Sequence, residues 1–254
     1  MKTDSYLSRT LKDLLAAGEP IGLLWLALGS PSIAEFAAHS DAGALVIDLQ
    51  HGLWDRHSLE AAVGVTAPRL PVIVRVAENS PAVIGNALDA GADSVLVPLV
   101  DTVEQARAAV AAARFPPRGN RSGGGIRPLA AGFADYMKRS EAITVGVMIE
   151  TATAVSNADA IAAVDGLDYV LIGSGDLSIS YAATGGDAAA VEAGCRLVHA
   201  ACRKAGLPCG IFTPNLARAI SRRDEGYDLV VLANDVDALN DAFAASTAAF
   251  GKRA

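Results

Sequence analysis

The chain is expected to fold as an α/β protein, a single (β/α)8 TIM barrel with an extra N-terminal helix, and three observations carry that expectation. Short aliphatic runs alternate with Ala-rich helical stretches eight times in 254 residues, the size and rhythm of a (β/α)8 barrel. The runs are continuously apolar rather than alternating, as parallel strands covered on both faces require. Ionisable residues stand at the ends of several runs, where barrels of this kind gather their chemistry. Doubly wound sheets share the local rhythm, so repetition alone does not separate the two folds.

Taken in order, Leu7, Leu11, Leu14 and Leu15 fit one face of a helix within Met1–Ala17. The strand candidates are Ile21–Ala27, Ala44–Ile47, Val72–Val76, Ser94–Val97, Thr144–Ile149, Tyr169–Ile172, Pro208–Ile211 and Leu229–Leu232. Helical patterns occupy Ser32–Ser40, His57–Val65, Pro81–Ala90, Val103–Ala113, Ala152–Val164, Ala188–Ala205, Leu216–Asp224 and Asp237–Ala248. Ser30-Pro31 and Ser80-Pro81 suit helix starts, with Pro at the first helical position. Gly91 and Gly206 suit the stops before the next strand. The irregular stretch from Arg114 to Arg139 holds Pro116-Pro117 and Gly123-Gly124-Gly125, and reads equally as a functional loop or a surface excursion. No linker or composition break divides the chain, so one domain is expected over residues 1–254.

Composition excludes several classes. Lys plus Arg is 21 and Asp plus Glu is 28, a formal charge of −7, and no dense basic cluster offers a nucleic-acid surface. Lys2, Asp4, Arg9, Lys12 and Asp13 interrupt any signal-like apolar core, and no run approaches the ~20 apolar residues of a membrane span. A cytoplasmic protein with no membrane partner is expected. Cys195, Cys202 and Cys209 form no CxxC pair and read as buried small residues of a reducing compartment.

The strand ends carry the chemistry. Glu150 follows the fifth run and Asp176 the sixth, so in a barrel both carboxylates face one mouth. Singly, each could serve a helix start instead. Together they favour a divalent cation with positions left open for substrate. Two hard oxygen ligands without a nearby Cys or His point to Mg²⁺ or Mn²⁺ rather than structural zinc, with Co²⁺ a further candidate. The backbone of Gly173-Ser174-Gly175 can approach a substrate carboxylate at a helix start. His51, after the second run and Asp48, is the candidate acid/base, whereas His39, His57 and His199 read as structural or solvated. Arg75 lies inside an apolar strand, where it either pairs with a structural carboxylate or faces a developing enolate oxygen. Trp25 is equally a wall of the mouth or a core residue. No lysine stands at a strand end, which disfavours a Schiff base.

These residues resemble the HpcH/HpaI aldolase family of class II pyruvate aldolases, from Gly22 to about Asp235. The most specific stretches are Ile47-Asp48-Leu49-Gln50-His51-Gly52, Leu88-Asp89-Ala90-Gly91-Ala92, Val97-Pro98-Leu99-Val100, Phe115-Pro116-Pro117-Arg118-Gly119, Ile149-Glu150-Thr151 and Ile172-Gly173-Ser174-Gly175-Asp176-Leu177. The resemblance implies Glu150 and Asp176 as metal ligands, His51 as base with Asp89 orienting it, Arg75 on the keto or enolate oxygen, and Trp25 lining the pocket. It also implies a hexamer of dimers that swap their last barrel helix, with sites near subunit boundaries. The family's Asp-Gly-Glu-His appears here as Asp48-Leu49-Gln50-His51, and its Gly-Pro-x-Asp-Leu as Gly173-Ser174-Gly175-Asp176-Leu177.

The function expected is a metal-dependent carbon–carbon lyase that cleaves 4-hydroxy-2-oxo acids reversibly to pyruvate and an aldehyde through a pyruvate enolate. Two rivals are an enzyme like citrate lyase or malyl-CoA lyase, for which a basic coenzyme A surface is missing, and a non-catalytic binder of small 2-oxo acids.

Overall fold

A computed structural model describes residues 9–251, so Leu7 and the start of the expected N-terminal helical face lie outside the described residues. The elements run α1 (Leu11–Ala17), β1 (Ile21–Leu26), α2 (Pro31–Ala37), β2 (Ala44–Asp48), α3 (Arg56–Thr66), β3 (Val72–Arg75), α4 (Pro81–Asp89), β4 (Ser94–Val97) and α5 (Val103–Ala113). They continue with α6 (Ile126–Leu129), α7 (Phe133–Ser140), β5 (Thr144–Ile149), α8 (Ala152–Ser156), α9 (Ala158–Ala162), β6 (Tyr169–Ile172) and α10 (Ser174–Ala182). The last are α11 (Ala188–Ala205), β7 (Cys209–Ile211), α12 (Leu216–Asp224), β8 (Leu229–Asn234) and α13 (Asp235–Gly251). The eight strands pair in sequence order, all parallel, and β8 closes on β1 with Ile21 opposite Leu229. The expected (β/α)8 barrel is the fold.

Strand alternation then decides which side chains fill the barrel. Leu23, Ala44, Val46, Ile73, Leu96, Met148, Tyr169, Leu171, Leu229 and Val231 make the interior. Leu11 of α1 joins that cluster, so the extra helix plugs the end where the strands begin. Continued two residues at a time, the same inward faces reach Trp25, Asp48, Arg75 and Glu150 at the other end. A separate apolar layer of outward-facing residues, including Leu45, Val74, Val97 and Ile172, packs the strands against the helices.

Three segments differ from expectation. The helix expected over Ala152–Val164 breaks at Asn157, whose side chain donates to the Asp101 carbonyl at 2.8 Å instead of lying along a helix. Helix α10, left out of the run of helical patterns although a helix start was read at Gly173-Ser174-Gly175, extends from Ser174 to Ala182, with no side-chain cap among the described residues. The stretch from Arg114 to Arg139 is partly helical, with α6 and the start of α7 inside it. Buried Tyr136 pins that stretch by packing edge-on against Phe115 and accepting the Gly124 N–H at 2.9 Å. All three cysteines are free and buried, as composition suggested.

Candidate active site

The mouth of the barrel is built on a buried ion pair. Asp48 ends β2 and Arg75 ends β3, directly opposite each other in the parallel register. The guanidinium grips the carboxylate with Nε on Oδ1 at 2.8 Å and Nη2 on Oδ2 at 2.5 Å. Such a fork fixes the plane of an arginine as no lysine could be fixed. Asp48 also accepts the Trp25 indole N–H at 3.2 Å and the backbone N–H groups of Gln50 and His51 at 3.0 and 3.2 Å. Burial alone would raise its pKa, but these donors together hold it below the ordinary carboxylate range. The third guanidinium nitrogen of Arg75, Nη1, meets only the Met148 thioether, at 3.9 Å, among the described residues. Arg75 lies over the Trp25 ring at 4.9 Å, and Phe212 stands edge-on to the same ring at 5.2 Å. Arg75 is therefore paired with a carboxylate, the first of its two expected readings, with Nη1 left beside the Met148 sulfur.

Across the mouth, Glu150 is almost fully buried, at 1% exposure. Its Oε1 accepts the Leu99 backbone N–H at 2.7 Å, and its Oε2 is buried with no hydrogen-bond partner among the described residues. Burial pushes its pKa up to about 7, and the neighbouring Asp176 carboxylate adds to the rise, against the pull of the Leu99 N–H and of Arg75. Asp176 sits in the first turn of α10, beside Ser174 and Gly175, and Ser174 ties that turn to the Phe212 carbonyl through its hydroxyl at 2.9 Å. Gly173 brings the backbone against Glu150: a Cβ there would lie 2.4 Å from Oε2. The structure thus brings Trp25, Asp48, Arg75, Glu150, Gly173, Ser174, Gly175 and Asp176 to one mouth.

Two carboxylates, one with an orphaned buried oxygen, fit a hard divalent cation. No group of three or more His, Cys, Asp or Glu arranged for a metal occurs among the described residues, so an ion here would rest on those two carboxylates and its other ligands. His51 is exposed at the rim, anchored by its own backbone N–H on Asp48, and its ring has no hydrogen-bond partner among the described residues. Asp89 is not beside it. Asp89 ends α4, just before β4 begins, at the opposite end of the barrel, and its carboxylate pairs with Arg121 at 3.1 Å. Sequence reasoning did not single out the Leu99 N–H or the Met148 sulfur. Leu99 adopts φ 53°, a left-handed conformation that its side chain does not advertise.

The sequence profile of the HpcH/HpaI aldolase/citrate lyase family matches residues 22–242 of this chain. A 4-hydroxy-2-oxovalerate aldolase of Rhodococcus jostii (strain RHA1) is 37% identical, over 92% of this chain and 96% of that protein. A 4-hydroxy-2-oxo-heptane-1,7-dioate aldolase of Salmonella arizonae is 35% identical, over 96% of this chain and 95% of that protein. Among solved structures, a family protein from Burkholderia cenocepacia J2315 superposes with a TM-score of 0.89 at 33% identity, covering 95% of this chain and 99% of its own.

Proposed function

The chain belongs to the HpcH/HpaI aldolase/citrate lyase family, and on that premise we propose that it is a divalent-metal-dependent pyruvate aldolase. It cleaves 4-hydroxy-2-oxo acids to pyruvate and an aldehyde, and runs the same reaction in reverse. One observation carries the reading: the orphaned Oε2 of Glu150, beside Asp176, faces an arginine that Asp48 holds rigid. Glu150 and Asp176 would hold the ion, Mg²⁺ or Mn²⁺ by the hardness of their oxygens. When bound, such an ion supplies Lewis acidity to the 2-oxo acid.

The chain's own residues supply the remainder. Arg75 offers its free edge to the 2-oxo oxygen as that oxygen gains enolate charge, and needs no reorientation to do so. His51 takes the proton of the C4 hydroxyl while the C3–C4 bond breaks. The bonding pair passes into the enolate and the aldehyde leaves. In synthesis C3 of the enolate attacks the aldehyde, and His51 returns the proton to the new alkoxide. The first-turn N–H groups of α10, over Ser174, Gly175 and Asp176, receive the substrate carboxylate. Trp25 and Phe212 wall the pocket from water. Asp48 meets no substrate in this scheme; it is a positioning residue that acts through Arg75 and Trp25.

The working form is a homo-oligomer in the cytoplasm, a hexamer as the family resemblance implies. Its support is α13, which is exposed from residue 240 to its end and presents Phe243 and Phe250 at 64% and 93% exposure, a surface that a second copy would cover. Asp89 would then orient His51 of another copy, since the two lie at opposite ends of one barrel.

The deciding experiment follows proton–deuterium exchange at the pyruvate methyl group in D₂O by NMR, with Mn²⁺ or Mg²⁺ and with EDTA. Exchange that requires the metal supports enolate formation and needs no knowledge of the aldehyde. Pyruvate binding without exchange under either condition would replace the enzyme by a binder of 2-oxo acids.

A further inference from the structure

We propose that Asp101 is a positioning residue for this site: through the Thr151 hydroxyl it clasps the end of β4 to the end of β5 and so fixes Glu150. The inference rests on the reading of Glu150 and Asp176 as the ion's ligands, and deepens it.

Asp101 lies two residues beyond Leu99, whose N–H meets Glu150 Oε1, and Thr151 directly follows Glu150. The Thr151 hydroxyl donates to Asp101 Oδ1. Val100, between Leu99 and Asp101, donates its N–H to the Met148 carbonyl at 3.3 Å. Residues 99, 100 and 101 are thus each tied to the segment 148–151, and Glu150 lies within the tied stretch. The Val100 bond joins backbone to backbone and does not depend on side chains. The bond to Thr151 exists only because residue 101 carries an acceptor.

Asp101 is itself held on both sides. Its N–H donates to Gln105 Oε1 at 2.6 Å, and its carbonyl accepts from Asn157 Nδ2 at 2.8 Å. An ionised carboxylate only accepts, so it obliges Thr151 Oγ1 to donate and leaves that oxygen's lone pairs for the Ala154 N–H, at 3.0 Å. The last bond caps α8, and a cap needs the threonine alone. Capping therefore does not account for Asp101, whereas holding Glu150 does.

The same segment reaches the second carboxylate. The Ala152 N–H donates to Ser180 Oγ at 3.0 Å, and Ser180 stands on α10 one turn beyond Asp176. Residues 150–152 are thus anchored to Asp101 on one side and to α10 on the other. Where only two side chains hold an ion, their spacing governs its affinity, and removing a partner that fixes a ligand costs about 10–100-fold in affinity or activity.

The test measures Mn²⁺ affinity of the full chain by electron paramagnetic resonance, and metal-dependent methyl exchange of pyruvate in D₂O by NMR. Asp101→Ala and Thr151→Val are each expected to weaken Mn²⁺ binding and slow exchange by about 10–100-fold. Asp101→Asn keeps an acceptor oxygen and Thr151→Ser keeps the hydroxyl, so both should restore most of each property. Thr10→Ala removes a helix cap at the other end of the barrel, where Thr10 Oγ1 accepts the Asp13 N–H at 3.2 Å. It should lower the melting temperature and leave Mn²⁺ affinity and exchange as in wild type, which separates positioning from general loosening. Lower melting temperatures in Asp101→Ala and Thr151→Val with unchanged Mn²⁺ affinity and exchange would overturn the inference. Asp101→Asn as impaired as Asp101→Ala would overturn the role given to the acceptor. If Asp101→Ala fails to fold by circular dichroism, the contrast between Thr151→Val and Thr151→Ser carries the test. Wild type that binds Mn²⁺ without exchanging pyruvate would remove the aldolase reading, and the Mn²⁺ affinities would still decide the inference. Wild type that binds no Mn²⁺ would overturn the ion site itself, and the inference with it.

Discussion

Leu99 donates its backbone N–H to Glu150 Oε1 at 2.7 Å from a left-handed conformation, φ 53°, that leucine rarely adopts. The conformation costs a side-chain-bearing residue about 1–2 kcal/mol. The Leu99 side chain is half exposed, so burial does not repay that cost. What the conformation achieves is one satisfied carboxylate oxygen, with Oε2 left for another partner. Leu99→Gly keeps the N–H and removes the strain, so its melting point should stay within about 1 kcal/mol of wild type in free energy, with methyl exchange of pyruvate retained. Leu99→Pro has no N–H and cannot reach the required φ, and should lose exchange by about 10²-fold. Full exchange in the proline variant would show that Glu150 does not need this donor.

Gly173 tests the same carboxylate from its other side. A methyl group at this position would meet Oε2 at 2.4 Å and the Glu150 Cβ at 2.8 Å, so the acid must shift from its place. Gly173→Ala is therefore expected to cost ~10²-fold in exchange, the usual penalty for displacing a reacting group by about 1 Å. Manganese affinity, read by electron paramagnetic resonance, should fall with it. Unchanged manganese affinity would remove Glu150 from the ion site.

How much of this was legible in the sequence depends on whether a property is carried by one strand. Trp25, Asp48, Arg75 and Glu150 stand at the ends of apolar runs, and two-residue alternation sends them to one mouth without further information. The pairing of Asp48 with Arg75 needs the register between β2 and β3, which no local pattern states. The backbone of Leu99 was illegible because left-handed geometry is signalled by Gly or Asn, not by leucine. The helix start at Gly173-Ser174-Gly175 was legible, but the run of α10 to Ala182 was not, because Gly175, Ser178 and Ser180 lower helix propensity and packing against α11 decides otherwise. Arg121 lay in a glycine-rich stretch that reads as loop, although its burial is what organises that stretch.

Asp93 supplies a pH test. Its carboxylate accepts the Val72 N–H at 2.9 Å, yet burial pushes its pKa up from an ordinary value of 3.8 to about 6, with the charge of Arg139 acting the other way. The folded chain therefore holds this proton more tightly than the unfolded chain. The stability so gained is complete below pH 3.8 and is lost as pH rises through about 6. Asp93→Asn can keep accepting the Val72 N–H without the buried charge. It should raise stability at pH 8 by about 1–2 kcal/mol relative to wild type, and the difference should shrink toward pH 4. Urea melts at the two pH values check this, and an advantage that grows on acidification would contradict the assignment.

Asp89 and His51 offer the sharpest test of assembly. In one chain Asp89 ends α4 before the strands begin and pairs with Arg121, whereas His51 sits at the rim where they end, its ring without a hydrogen-bond partner among the described residues. If Asp89 orients a histidine, it must be that of another copy. His51→Ala and Asp89→Asn proteins should each be nearly inactive alone. Co-expressed, they should form mixed assemblies in which one chain supplies the histidine and another the aspartate. For random isologous pairing, half the dimers are mixed and one of their two sites is intact, so roughly one quarter of wild-type activity should return. A chain bearing both changes, co-expressed with wild type, provides the control for chain exchange. A mixture of the two single variants no more active than either alone, in samples shown by mass spectrometry to contain mixed assemblies, would confine Asp89 to its pair with Arg121 and leave His51 to act without an aspartate partner.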